Sequence, residues 1–178
     1  REAFLKMWPI GKFPVLRDES RDWLVPESSI IVEYLDGRFP DRARLIPSDP
    51  DLARQTRMRD RFFDLYVQEP MQKIVGDRIR PEGMKDPFGV EEARARLKTA
   101  LGMIEGAVGE RWIMGDAFTM ADCAALPALH YADRVMPLKD GFGRTRAYLE
   151  RLRARPSAAR TLKEAEPYFH LFPEEKAR

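Results

Sequence analysis

Two short segments near the start of the chain combine an unusual backbone with polar side chains that could hold a charged ligand. In the first, Lys12 precedes Phe13-Pro14. A proline cannot donate to a sheet ladder, so it belongs at a bend or at the edge of a strand. A cis bond at Pro14 would expose the preceding backbone N–H and C=O to a ligand, whereas a trans bond would make a simple turn before a strand.

The second segment is Pro26-Glu27-Ser28, at the start of a predicted helix. The free N–H groups and the positive dipole end of a helix attract an anion. Ser28 adds a hydroxyl there, and the Glu27 carboxylate can accept from an ammonium group. The pair therefore suits a ligand with an amino-acid end, while ordinary capping of the helix by Ser28 is the alternative.

Thr119 and Asp122 form a third pattern, a capping box in which Asp replaces the usual Glu or Gln. The helix that they begin, residues 119–136, is almost entirely apolar, so we expect it to be buried. A buried helix start leaves costly unsatisfied N–H groups unless side chains accept from them. The pattern thus predicts a structural role for both residues rather than a catalytic one.

The first 40 residues are predicted to form short strands and a helix, whereas the residues from 50 onward are predicted to form helices only. Residues 13–16 and 23–25 are short strand candidates separated by a polar loop, which predicts a β-hairpin. A helix with Ile30, Ile31, Tyr34 and Leu35 on one face follows and is expected to stop at Gly37 and Pro40. Later segments show apolar spacings of three and four residues that predict helices. They are residues 50–75, 90–108, 119–136, 144–154 and 157–165.

The predicted organisation is therefore an α/β piece over residues 1–40, a linker over 41–49 and an all-α domain over 50–178. The chain has 178 residues with 31 Lys+Arg against 29 Asp+Glu, and this balance does not indicate a polyanion binder. Its one cysteine excludes a disulfide framework and a Cys-rich metal site. No apolar run approaches about 18 residues, so we expect a soluble cytoplasmic protein without a membrane or nucleic-acid partner.

Taken in order, these segments resemble the glutathione S-transferase superfamily. Residues 11–16 (Gly-Lys-Phe-Pro-Val-Leu) resemble its segment through the third strand, where a cis-proline stands. Glu27-Ser28 with residues 30–35 is similar to its Glu-Ser-x-x-Ile-x-x-Tyr-Leu stretch, and Thr119-x-x-Asp122 matches the capping motif of its buried sixth helix. Arg155-Pro156-Ser157 resembles the motif before its last helix. The resemblance implies a thioredoxin-like N-terminal domain, here lacking its first β-α-β part, and an all-α C-terminal bundle.

The resemblance also implies a glutathione site. Lys12 would approach the glycine carboxylate, and the Phe13 backbone would pair with the cysteinyl residue of glutathione. Pro14 would be cis and would fix that geometry. Glu27 and Ser28 would hold the amino and carboxylate groups of the γ-glutamyl end, which agrees with the amino-acid ligand expected from the residues themselves.

The residue that acts on the glutathione sulfur is not assigned within these 178 residues. In the family it is a Tyr, Ser or Cys of the first strand and helix, so we expect it upstream of Arg1, where the chain opens inside the domain without a Met. A hydroxyl donor would lower the thiol pKa, which is about 8.5 in the free amino acid. A Cys would instead favour thiol transfer through mixed disulfides.

The implied activity is that of a cytosolic, homodimeric detoxification enzyme that joins glutathione, as co-substrate and without a metal, to a hydrophobic electrophile. Phe62, Tyr66 and Tyr131 are candidates to line the electrophile pocket, although core packing would also explain them. A non-catalytic relative that serves as an interaction or ligand-binding protein is the alternative function.

Three further features have mainly structural explanations. Arg54, Arg57 and Arg61 share one helix face, which is either solvated or, following the resemblance, lies along a dimer cleft. Cys123 lies in the predicted buried helix and is expected to be an inert thiol. The aromatic segment over residues 168–173 is expected to dock on the helical bundle.

Overall fold

The computed structural model describes residues 1–175, which fall into two units: residues 1–53, and the remainder from Arg54 onward. The first unit contains α1 (Glu2–Met7), β1 (Val15–Asp18), β2 (Trp23–Pro26) and α2 (Ser28–Arg38). The second unit is helical. The predicted fold class, a thioredoxin-like α/β part followed by an all-α part, is confirmed.

The predicted hairpin is present as an antiparallel pair. Val15 lies opposite Pro26, and Asp18 lies opposite Trp23. Val25 points into the unit and is buried, whereas Trp23 is half exposed at the turn end. Phe13-Pro14 was predicted as part of the first strand, but it precedes β1 and leaves the strand to begin at Val15.

The turn of the hairpin is tied to α2 through Asp18. Its carboxylate accepts from the Ser20 N–H at 2.9 Å and from the Ser20 hydroxyl at 2.6 Å, and the Tyr34 hydroxyl donates to the other oxygen. The side-chain bonds from Ser20 and Tyr34 lower the pKa of Asp18 to about 2. The ring of Tyr34 also meets Trp23 edge to face at 5.2 Å, so this helix is held against both strands.

The first unit extends further than the predicted boundary at residue 40. Helix α2 continues through Gly37, which a helix tolerates at modest cost, and ends at Arg38. Asp36, with only 4% of its side chain exposed, accepts from Arg44 Nε at 2.9 Å and from the Leu45 N–H at 2.6 Å. Arg44 and Leu45, within the segment 41–49 that was predicted as a linker, are therefore hydrogen-bonded to α2.

The long helix predicted over residues 50–75 is three successive segments. Helix α3 (Pro50–Phe62) is capped by Asp49, which accepts from the Leu52 N–H at 2.8 Å. A π-helical turn (Phe63–Gln68) then leads into α4 (Glu69–Arg78). The wider turn shifts which side chains face inward, and it places Phe63 and Val67 in the core.

The remaining helices of the second unit are α5 (Pro87–Ala107), α6 (Met120–Val135), α7 (Gly143–Ala154) and α8 (Pro156–Ala165). Short 3₁₀ turns cover Glu82–Met84 and Glu166–Leu171. Helix α6 is largely buried, as predicted, and packs against the π-helical turn, α4 and α7. Within the described residues, none of the helices has the length and apolar character needed to cross a membrane.

Candidate functional site

The two segments that could hold a ligand lie at the same end of the hairpin. The Phe13–Pro14 peptide bond is cis and stands immediately before β1. Because Val15 pairs with Pro26 across strands about 4.8 Å apart, the residues before β1 and the residues after β2 leave the hairpin at the same end. We call residues 12–14 and 27–28 together the hairpin end.

Glu27 has a backbone conformation that L-residues rarely adopt, with φ 68° and ψ 123°. It is the N-cap of α2, and its side chain makes no capping hydrogen bond. Ser28 is the first helical residue, so the expectation that it could cap the helix is wrong. The side chains of Glu27 and Ser28 are therefore not used to satisfy the N–H groups of the first turn.

The side chains at the hairpin end face solvent. Lys12, Glu27 and Ser28 are all exposed, and within residues 1–175 none of these side chains makes a hydrogen bond or an ion pair. Phe13 is 84% exposed, with its ring edge-on to Phe4 at 6.5 Å. The arrangement offers a cation, an anion, a hydroxyl and a free strand edge to a ligand.

The three candidate pocket residues do not come together. Phe62 and Tyr66, one helical turn apart with ring centres 5.2 Å from each other, line a cavity of about 760 Å³ between the π-helical turn and α5. Met103 and Arg96 line its opposite side. Tyr131 lies elsewhere, because its ring stacks on Phe172 at 5.4 Å.

Asp122 is a buried hydrogen-bonding centre. Its Oδ2 accepts from the Thr119 N–H at 2.8 Å, which completes the predicted capping box. Its Oδ1 accepts from the Ile113 N–H at 3.0 Å and from the Tyr148 hydroxyl at 2.6 Å. The last two contacts were not predicted, since no local pattern links residues that lie 9 and 26 positions away.

Burial around this centre shifts the pKa values of its neighbours upward. Desolvation raises the pKa of Tyr148, and the negative charge of Asp122 adds to that effect. Burial likewise raises the pKa of the Cys123 thiol from 9.0 to about 11. A thiol with so little thiolate near neutral pH is a poor nucleophile, which supports a structural role for Cys123.

The arginine row on α3 is at the surface. Arg54, Arg57 and Arg61 are all exposed, and Arg61 lies 3.8 Å from the Asp64 carboxylate.

No group of three or more His, Cys, Asp or Glu side chains among the described residues could hold a metal ion.

Sequence and structure comparisons agree on one family. Residues 1–43 match the N-terminal domain of glutathione S-transferases, and residues 87–151 match their C-terminal domain. The chain is 31% identical over 130 residues to the glutathione S-transferase-like protein LUC7 of a Fusarium species, covering 72% of this chain and 58% of that protein. It is also 31% identical over 128 residues to the stringent starvation protein A homolog of Haemophilus ducreyi, covering 72% and 56%.

A solved structure supports the same assignment. The glutathione S-transferase of Methylobacillus flagellatus, determined with glutathione bound, superposes with a TM-score of 0.80 at 27% identity, over 88% of this chain and 78% of that one. The chain spans little more than half the length of the two sequence relatives. With the two matching domains in the family's order and this common fold, the chain belongs to the glutathione S-transferase superfamily.

Proposed function

We propose that this protein is a glutathione transferase whose hairpin end binds glutathione. One observation carries the proposal. Glu27 is held in a rarely adopted backbone conformation beside the exposed Ser28, next to the cis Phe13–Pro14 bond, and the Glu27 side chain does not cap the helix start. A residue held in a sparsely populated φ/ψ region, as Glu27 is, costs about 1–3 kcal/mol, and such residues are concentrated at ligand sites.

The hairpin end offers a binding partner to each charged group of glutathione. The Ser28 hydroxyl and the first N–H groups of α2 bind the γ-glutamyl carboxylate, and the Glu27 carboxylate accepts from its ammonium group. The Phe13 backbone pairs with the cysteinyl residue as an added strand. Lys12 neutralises the glycine carboxylate. Glutathione is a co-substrate here, and no metal is needed.

The proposed reaction joins the thiolate to a hydrophobic electrophile. The glutathione sulfur attacks an electrophilic carbon, a C–S bond forms, the leaving group departs with the bonding electrons, and the thiol proton goes to solvent. We assign the electrophile to the apolar cavity beside Phe62 and Tyr66, whose volume is in the range of small-molecule sites. The residue that acts on the sulfur stays unassigned.

We further propose that the protein works as a homodimer in the cytoplasm, where reducing conditions keep glutathione as the thiol. The exposed Arg54, Arg57 and Arg61 would then lie along a cleft that attracts anionic glutathione. A non-catalytic, glutathione-binding protein of the same family is the second candidate function. It is favoured by the relative from Haemophilus ducreyi, whose name is not that of a transferase.

Retention on glutathione resin, followed by turnover of a chlorinated aromatic electrophile, tests the proposal in the full-length protein. We expect Ser28→Ala to lose retention and turnover together. Ser157→Ala is the matched control, because Ser157 is also exposed in the first turn of a helix, and it should retain both. Retention without turnover supports the second candidate, and an unmutated protein that is not retained contradicts both.

The electrophile site has a separate test. Phe62→Ala should raise KM for the electrophile several-fold and leave KM for glutathione unchanged. Phe88→Ala removes another phenylalanine, 75% exposed on α5 and not part of the cavity wall, and should change neither constant. An unchanged electrophile KM in Phe62→Ala contradicts the assignment of the cavity.

A further inference from the structure

The last described residues, Glu166–Glu175, cross the ends of α4, α5 and α6, and we call them the strap. The Phe172 ring stacks on Tyr131 at 5.4 Å with 15° between the ring planes. The Arg134 guanidinium lies over the rings of Phe169 and Phe172, 5.4 and 5.1 Å from their centres. The docking predicted for this aromatic segment is therefore confirmed, and the rings anchor the strap to α6.

After its aromatic residues, the strap also places the Glu175 carboxylate against Arg78 and Arg94. Arg78, at the end of α4, donates through Nη1 to the Pro173 carbonyl at 2.9 Å. Glu175 Oε2 accepts from Nη2 of Arg78 and from Nη2 of Arg94, both at 3.2 Å. One carboxylate oxygen thus bridges guanidinium groups that belong to different helices.

The two sides of this contact differ in how firmly the fold holds them. The Arg78 side chain is only 11% exposed and that of Arg94 28%, whereas that of Glu175 is 67% exposed. Arg94 is also fixed by donating from Nη1 to the Val135 carbonyl at 3.0 Å. A nearly buried cation needs a partner, while an exposed carboxylate loses little by returning to water. The cations are thus built into the fold, and the anion can be exchanged.

A cavity of about 640 Å³ adjoins the two arginines, and Glu174 and Glu175 form one of its walls. Lys85 also lines it and is fixed by donating to the Asp77 and Arg78 carbonyls at 2.9 and 3.1 Å. The same cavity is lined by acids, which oppose a highly charged anion such as a polyphosphate. They are Asp77, Glu82 and Glu91. With Glu174 these acids outnumber the three cations of the cavity, so a ligand fits by placing one carboxylate on the two guanidinium groups, as Glu175 does.

We propose that Arg78 and Arg94 form a carboxylate-binding site, that Glu175 is its built-in ligand, and that a small free carboxylate takes the site when the strap lifts. This site lies entirely within the helical unit and does not depend on the glutathione site. Its ligand class is the small mono- or dicarboxylate, for which the Glu175 side chain itself is the template.

The test is a calorimetric titration of the full-length protein with glutarate at constant ionic strength, balanced with sodium chloride. If Glu175 fills the site in about nine molecules of ten, Glu175→Gln tightens the apparent Kd about tenfold, because the built-in competitor is gone. Glu174→Gln is the matched control. It removes a charge from the same wall, but within residues 1–175 Glu174 makes no ion pair, so its Kd should match that of the unmutated protein.

A second readout follows the strap directly by hydrogen exchange at the amides of residues 169–175. Glutarate should speed exchange there in the unmutated protein, and Glu175→Gln should do so without any ligand. Arg94→Lys keeps the charge but loses the forked donor, so it should weaken glutarate binding in the Glu175→Gln background. Equal affinity in the unmutated protein, Glu174→Gln and Glu175→Gln would overturn the proposal, and so would exchange that glutarate leaves unchanged.

Discussion

Helices α2 and α6 each begin beside an acidic and a hydroxyl side chain, but the two starts are built in opposite ways. At α6, Thr119 and Asp122 are buried, and the carboxylate accepts from the Thr119 N–H at 2.8 Å. At α2, Glu27 and Ser28 are exposed, and within residues 1–175 neither side chain makes a hydrogen bond. We call the start of α6 closed, because Thr119 and Asp122 bond to each other there. We call the start of α2 open, because Glu27 and Ser28 do not.

The start of α7 shows that closure does not require a residue of the same helix. Glu105 on α5 accepts from the Arg144 and Thr145 N–H groups at 2.9 and 2.8 Å. Burial acts to raise the pKa of Glu105, but the hydrogen bonds from Arg144 and Thr145 outweigh it, and the pKa is lowered. A helix start that packs in the core is thus given an internal acceptor, whereas at α2 the side chains of Glu27 and Ser28 stay available to a ligand.

The largest expected effect comes from opening the closed start. Asp122→Ala leaves the buried donors of Thr119, Ile113 and Tyr148 without an acceptor. We expect a loss of about 4 kcal/mol in the free energy of unfolding, measured by urea denaturation. Asp116→Ala is the control, because Asp116 is 90% exposed and pairs only loosely with Arg111 at 3.6 Å.

The control should change the free energy of unfolding by no more than about 0.5 kcal/mol. Equal losses in Asp122→Ala and Asp116→Ala would mean that the α6 start is not closed by this carboxylate. The structural difference between the starts of α2 and α6 would then make no difference to the free energy of unfolding.

Sequence patterns predicted the features that depend on residues a few positions apart along the chain. The capping box of Thr119 and Asp122 spans three residues, and both members are found bonded. Phe62 and Tyr66, four residues apart, line one cavity, and their assignment to an electrophile pocket stays a prediction. Such patterns work because helix geometry fixes which close neighbours share a face.

The remaining features depend on contacts between distant residues or on irregular backbone. Tyr148 reaches Asp122 across 26 positions, and Asp36 bonds to two residues of the segment 41–49, which was expected to be a linker. The π-helical turn over Phe63–Gln68 has no signature in apolar spacing. Tyr131 was grouped with Phe62 and Tyr66 by residue type, but it belongs to a different helix and a different aromatic cluster.

The next prediction concerns Cys123, in the first turn of the closed start. A thiol at an open helix N-terminus is usually activated, but burial here raises its pKa from 9.0 to about 11. Two pKa units reduce the thiolate population about a hundredfold at pH 8, and the greater nucleophilicity of a thiolate of higher pKa recovers about a tenfold factor, so we expect reaction with a disulfide reagent to be about tenfold slower than for a free thiol. Stopped-flow absorbance measures the rate, and the same protein in urea is the control. A fast reaction in the folded protein would show that this start is open to solvent.

A smaller effect is expected from Tyr148→Phe, which removes one donor from Asp122 and leaves the ring in place. We expect a loss of about 2 kcal/mol in the free energy of unfolding near pH 8, since the bond is made to a charged acceptor. Burial raises the pKa of Tyr148 in the folded protein, so its contribution is complete below pH 10 and declines as the pH rises beyond that value. Urea denaturation at pH 8 and pH 11 should therefore show a smaller difference between the two proteins at the higher pH. A difference that grows with pH would contradict the direction of this shift.

The smallest effect is expected at the open start, and its sign is reversed. Glu27→Gly relieves the positive φ of 68°, because glycine adopts that conformation without a steric penalty. We expect the free energy of unfolding to rise by about 1 kcal/mol while retention on glutathione resin falls, since the carboxylate that accepts from the γ-glutamyl ammonium is gone. Glu27→Gln keeps the backbone strain and removes only the charge, so it should lower retention without a gain in stability.

Asp22→Gly separates relief of strain from loss of the ligand contact. Asp22 also has a positive φ, of 47°, but it lies in the turn at the opposite end of the hairpin. Asp22→Gly should leave retention on glutathione resin unchanged, even if the glycine raises the free energy of unfolding slightly. If Glu27→Gly gained no stability, or gained it and still bound glutathione fully, the strained backbone would not be maintained for the ligand. The open start of α2 would then be an uncapped helix end of the kind that exposed helices commonly tolerate.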